Sequence, residues 1–140
     1  VKFHVVCEYC GEKAKLVNGK ALYPHSPALW KKWFYKCDPC EAWVGCHPDT
    51  RKPLGRLAKA DLRRLKMIAH NVFDAIWKRR FERKHAIDPK YSRGMARGGR
   101  YSALAKELGI PKERCHIGEF DNQMCARVIA ICKSGVLEKD

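Results

Sequence analysis

Two Cys-x-x-Cys pairs, Cys7–Cys10 and Cys37–Cys40, constrain this chain more than any other feature. Two intervening residues let both sulfurs turn inward on one tight knuckle, which suits a metal ion and suits a disulfide poorly. Zn²⁺ takes four soft ligands at tetrahedral corners, and two knuckles on facing hairpins supply them. Cys7, Cys10, Cys37 and Cys40 are therefore read as the ligands of one structural Zn²⁺. The 26 residues between the pairs fit a zinc ribbon built as a hairpin plus a loop. Four protein ligands leave no open coordination position, so such an ion folds its module rather than catalysing. Cys46 reads as a small buried hydrophobe at a strand end. His47 is the weaker rival, as a substitute ligand or a phosphate contact.

The surroundings of the knuckles read as β structure. "FHVV" runs into "CEYCGEKAKLV", and "KWFYKCDPCEAWVGC" repeats the plan of strand, knuckle and strand, with aromatic and β-branched residues on both sides. "NGKALYPHSPALWKK" between them carries Asn18-Gly19 and two prolines and predicts a loop. The turn-rich "HPDTRKPLG" ends a zinc-ribbon module over residues 1–50. Residues 51–140 are then a basic helical region packed against it as one compact unit, an α+β fold overall. From Arg56 to about Ala86 the spacing predicts one long helix, with Leu62, Leu65, Ala69, Val72, Phe73 and Ile76 on one apolar stripe. "SRGMARGGR" is either a mobile loop or a helix start capped by Ser92. A helix over Tyr101–Leu108 follows, and a third is capped by Asp121, leaving a frayed tail.

Charge is concentrated. The chain carries +14, and residues 51–100 hold 16 Lys and Arg against 4 Asp and Glu. Residues 1–50 hold 7 against 5, and residues 101–140 hold 6 against 6. A basic block of this kind attracts a polyanion or an acidic protein. Its candidate nucleic-acid contacts are Arg63, Lys66, Lys78, Arg79, Arg80, Arg83, Lys84, Arg93, Arg97 and Arg100. Long cations engage phosphates, Arg also forks onto phosphate or guanine, and Trp77, Phe81 and Tyr91 lie among them for stacking. Two further constellations are weaker. His70 precedes Asp74 by four residues, which fits an oriented general base or an ordinary helix pair. Cys115, His116, Cys125 and Cys132 match no usual ligand rhythm and read as core.

"YPHSP", "CDPCEAWVGCHP", "RKPLGRLAKADLRRLKMIAHNVFDAIWKR", "SRGMAR", "YSALAKELGI" and "CHIGEFD" follow one another here. In this order they resemble a family of bacteriophage and prophage proteins characterised by a zinc-finger-containing domain, from Cys7 to about Cys132. The resemblance implies zinc on Cys7, Cys10, Cys37 and Cys40, and a host cytoplasm as the setting. It transfers no activity. Residues and resemblance together lead to an expectation of a non-enzymatic, cytoplasmic accessory protein that binds nucleic acid, DNA ahead of RNA, with no membrane and no small-molecule substrate. The rival expectation is a module that grips an acidic host protein of defence or transcription. A metal-dependent nuclease using His47, His70, Asn71 and Asp74 ranks third, since acidic metal ligands near His70 are too few.

Overall fold

A computed structural model describes residues 3–139. The chain divides into two compact units, Val1–Arg63 and Arg64–Asp140, so the first runs well past the expected boundary at residue 50. Residues after 50 join it through backbone pairing. Cys46 bridges to Pro53, and Trp43 exchanges both backbone hydrogen bonds with Ala58, at 3.1 and 3.0 Å.

The first unit is a three-stranded antiparallel sheet, β1 (Lys15–Asn18), β2 (Trp33–Cys37) and β3 (Ala42–Gly45), in the order β1-β2-β3. Register is set by Leu16 opposite Tyr35 and by Tyr35 opposite Val44. The central strand reads "WFYKC" because both of its faces are covered, where alternation would have left one face wet. Tyr35 and Cys37 join Val5, Cys7, Ala14, Ala42 and Leu57 in one buried cluster. Phe34 meets the Tyr23 ring with centroids 5.6 Å apart, and the Tyr23 hydroxyl accepts from Trp43 Nε1 at 2.9 Å.

Two local expectations change here. Phe3–Val6 forms no strand, only a bridge from Val6 to Lys13. The supposed loop holds a one-turn helix α1 (Gly19–Leu22) and a 3₁₀ turn at Pro27–Leu29. Asn18 caps α1 by accepting the Ala21 N–H, so Asn-Gly serves here as a helix start. Only glycine fits at position 19. A Cβ there would lie 1.7 Å from the Leu29 carbonyl oxygen.

The long helix α2 spans Ala60–His85, starting later than expected because residues around Ala58 are held by β3. Leu62, Ala69, Phe73 and Ile76 of its stripe are buried, while Leu65 and Val72 are half-buried. In the second unit α3 covers Arg93–Leu108, so the Arg/Gly stretch is helical and not a loop. Ser92 Oγ accepts the Met95 N–H at 3.1 Å, and Gly109 closes the helix at φ 72°. α4 (Asn122–Ser134) is capped by Asp121 as expected, with Gly135 at φ 82° ending it. Through Glu138 the tail is folded and not frayed, Asp140 lying outside the described residues. Val136–Glu138 makes a further 3₁₀ turn and Leu137 is buried. The core gathers Phe73, Tyr101, Leu104, Leu108, Ile117, Val128 and Leu137, and the Phe73 and Tyr101 rings lie 4.4 Å apart.

Candidate metal centre and cationic surface

The Sγ atoms of Cys7, Cys10, Cys37 and Cys40 lie within 4.8 Å of one another. A tetrahedral Zn–S site with bonds of about 2.3 Å has sulfur–sulfur edges of roughly 3.8 Å. The Cys10–Cys37 separation of 3.6 Å already matches that edge. Each knuckle is shaped by backbone. Gly11 N–H donates to the Cys7 carbonyl at 2.8 Å, and Glu41 N–H donates to the Asp38 carbonyl at 3.2 Å. The residue after each second cysteine is left-handed, Gly11 at φ 78° and Glu41 at φ 50°. Glycine adopts this at no steric cost, whereas glutamate does so against its preference, which marks a backbone held by its surroundings.

Burial differs among the four sulfurs. Cys7 and Cys37 are buried, Cys40 is half-buried and Cys10 is exposed. The Glu12 backbone amide lowers the Cys10 thiol pKa, while burial, followed by the neighbouring sulfurs, pushes Cys40 up to about 12. Four thiolates packed this closely need a dication to coexist, and the donor set fits Zn²⁺. With all four positions taken by sulfur, the ion has no place for a water or substrate.

The fold and its site define a class: a small antiparallel β module stapled by one structural zinc, continued by helices. The chain belongs to a family of zinc-finger-containing domains, whose model matches residues 3–135. No curated protein and no solved structure matches it.

The ten candidate cations sort into distinct groups. Arg63 lies in the first unit, its guanidinium 3.6 Å from the Trp43 ring centroid while Nη1 donates to the Ala58 carbonyl. Arg79 pairs with Glu138, with its two donors at 3.1 and 2.6 Å. Arg100 Nη1 donates to the Leu137 carbonyl at 2.6 Å. Both therefore tie down the carboxy-terminal turn. Lys66 and Arg80 are half-buried and Arg83 is exposed.

The other four rest on aromatic rings. Arg93 lies 5.3 Å from the Trp77 centroid and 5.2 Å from that of Phe81. Lys78 approaches Trp77 at 5.7 Å, Lys84 approaches Tyr91 at 5.6 Å, and Arg97 approaches Tyr101 at 4.8 Å. None of these four pairs with a carboxylate among the described residues.

The weaker constellations come apart. Asp74 accepts from Trp77 Nε1 at 2.9 Å, and His70 Nδ1 sits 2.9 Å from the Lys66 carbonyl, so each has a local partner other than the other. His47 is outside the sulfur cluster, and its backbone closes the turn to Lys52 and Thr50. Half-buried Cys46 has its thiol pKa raised by burial. Cys115, Cys125 and Cys132 are buried, and among the described residues they join no ligand group. Burial pushes Cys115 and Cys132 up to about 11. Sequence reasoning missed Glu138 and Leu137 as partners of Arg79 and Arg100. It also missed the first unit's own stacked cations, Lys20 on Trp30, Arg51 on Trp33 and Lys59 on Tyr9. No described helix is long and apolar enough to cross a membrane.

Proposed function

We propose that the chain is a non-enzymatic accessory protein that binds nucleic acid, DNA before RNA, through the end of α2 and the start of α3. The observation that carries this reading is the set Lys78, Lys84, Arg93 and Arg97, each resting on a ring and none spent on a carboxylate. A guanidinium held against a ring has lost part of its rotamer freedom in advance, and both Arg93 and Arg97 remain exposed to a partner. Phosphate oxygens are the acceptors that such a fork fits in pairs. Ring and cation together also offer stacking to an unpaired base. The zinc module supplies a folded partner unit, and the setting proposed is the cytoplasm of a host, the chain being phage-borne.

Fluorescence anisotropy with labelled duplex DNA and RNA across a salt series tests this. Each phosphate contact contributes about 0.9 to the salt slope on duplex DNA, so Arg93→Ala with Arg97→Ala is expected to flatten that slope by roughly 2. Arg79→Ala, whose side chain is held by Glu138, is expected to change affinity less than twofold. Absence of binding at low salt, or equal effects of Arg79 and Arg93, defeats the proposal.

A further inference from the structure

The outer edge of β1 offers a different surface, and its backbone geometry says what can use it. In an antiparallel strand, hydrogen-bonding groups alternate between the two edges. Gly19 N–H donates to the Lys32 carbonyl at 2.8 Å, continuing the β1–β2 register, so odd-numbered residues of β1 face β2. On the opposite edge Ala14 N–H donates to the Val5 carbonyl at 2.9 Å, and Cys7 N–H donates to the Glu12 carbonyl at 2.8 Å. Even-numbered residues therefore face away from β2. Among the described residues, the amino-terminal segment hydrogen-bonds to this outer edge only as far as Ala14. Beyond it, a cleft of about 570 Å³ is lined by Phe3 and His4 together with Ala14, Leu16 and Tyr35. Leu16 is 36% exposed, and the alternation turns its N–H and C=O toward the outer edge, where it helps line that cleft.

The walls of the cleft have one sign of charge. His4, Lys13, Lys15 and Arg51 contribute to it and no carboxylate does. Lys15 is partly engaged with Asp38, as is Lys36 at 3.2 Å. Phe3 and Leu16 add apolar surface between the cations. Lysine beside an open edge is a known guard against pairing with a second copy of the same chain. Here that guard is selective, since it repels another +14 chain and attracts an acidic one.

We propose that this edge docks an extended acidic peptide segment by strand addition at Leu16. A peptide can both accept from the Leu16 N–H and donate to the Leu16 carbonyl, and a nucleic-acid backbone has no N–H to return. Alternate acidic side chains on one face reach Lys13 and Lys15, which share a side of the strand, while the apolar ones on the other face meet Leu16. The site lies in the first unit and is independent of the cations on α2 and α3.

Proline at position 16 isolates the claim. It removes the N–H that faces the cleft and leaves the odd-numbered bonds to β2 in place, the circumstance in which an edge strand tolerates proline. The probe is a fluorescein-labelled (Glu-Val)₄ peptide titrated into the zinc-loaded full chain, with (Lys-Val)₄ and ten-residue oligothymidylate as comparators. The expected result is saturable binding of the acidic peptide, weakened at least tenfold by Leu16→Pro and by Lys13→Glu, and less than threefold by Leu16→Ala. Zinc content checks that each variant is folded. Should Leu16→Pro lose its zinc, the wild-type chain with a peptide N-methylated at alternate residues replaces it, and the same tenfold loss is expected. Failure of (Glu-Val)₄ to bind, equal binding of (Lys-Val)₄, or insensitivity to both proline and N-methylation overturns the proposal. Oligothymidylate displacing the peptide with Leu16→Pro making no difference overturns it in favour of a nucleic-acid cleft.

Discussion

The two units solve the same problem with opposite means. The first has strands of four, five and four residues, and its buried cluster is built from two zinc ligands, two alanines and only three larger apolar or aromatic side chains. Cys7 and Cys37 sit where a conventional core would place leucine. The second unit has no ligand group among its described residues and fills its centre with Phe73, Leu104, Ile117, Val128 and Leu137. Small domains bury too little surface to outweigh chain entropy, and a metal supplies what the core lacks. Where helices present long apolar stripes, packing suffices. Cysteine therefore means two different things in one chain: an ion holder before residue 41 and a compact hydrophobe after residue 114.

Chelation is the most forceful way to break this contrast. Structural zinc contributes about 10–16 kcal/mol in small zinc modules, more than a unit of this size can replace. EDTA or Cys37→Ser is expected to erase the dispersed amide signals of residues 3–63 while those of α3 and α4 persist. Elemental analysis should find one zinc per chain before treatment. Simultaneous loss of both units at one chelator concentration would show that the contrast is false. Next in size is Phe73→Ala, which empties the centre of the second unit and should cost about 3–5 kcal/mol. Denaturant melting would register that loss with zinc content unchanged.

The smallest effect concerns pH. Burial holds the Cys115 and Cys132 thiols up to about 11, favouring their neutral form. The linked stabilisation is thus complete below the ordinary thiol value near 9 and drains away as pH climbs towards 11. At pH 8 their thiolate fraction is about 10⁻³, so iodoacetamide should label them roughly two orders of magnitude more slowly than an exposed cysteine. Labelling at the rate of a free peptide cysteine would sink this account.

What the sequence disclosed depended on how local the cause was. Four metal ligands were readable because the spacing within each knuckle is itself the chemistry. Caps at Ser92 and Asp121 were readable for the same reason, each acting on a backbone three residues away. The Arg/Gly stretch was ambiguous. Gly94, Gly98 and Gly99 each disfavour helix by up to about 1 kcal/mol, and burial of Ala96, Tyr101 and Leu104 outweighs them. The ordered tail was invisible, since its partners Arg79 and Arg100 are 59 and 37 residues distant. Of the cationic set, composition identified the block but not which members are committed elsewhere, because stacking and ion pairing depend on neighbours brought by folding.

The buried position of Leu137 has a consequence for synthesis on the ribosome. All four sulfur ligands have emerged by residue 40 and the first unit closes by Arg63, so it can bind metal while the rest is still being made. The second unit lacks part of its centre, and the anchors of Arg79 and Arg100, until residues 137 and 138 clear the exit tunnel. A stalled or prematurely terminated message would then release a competent zinc module joined to an unfinished, strongly cationic helix.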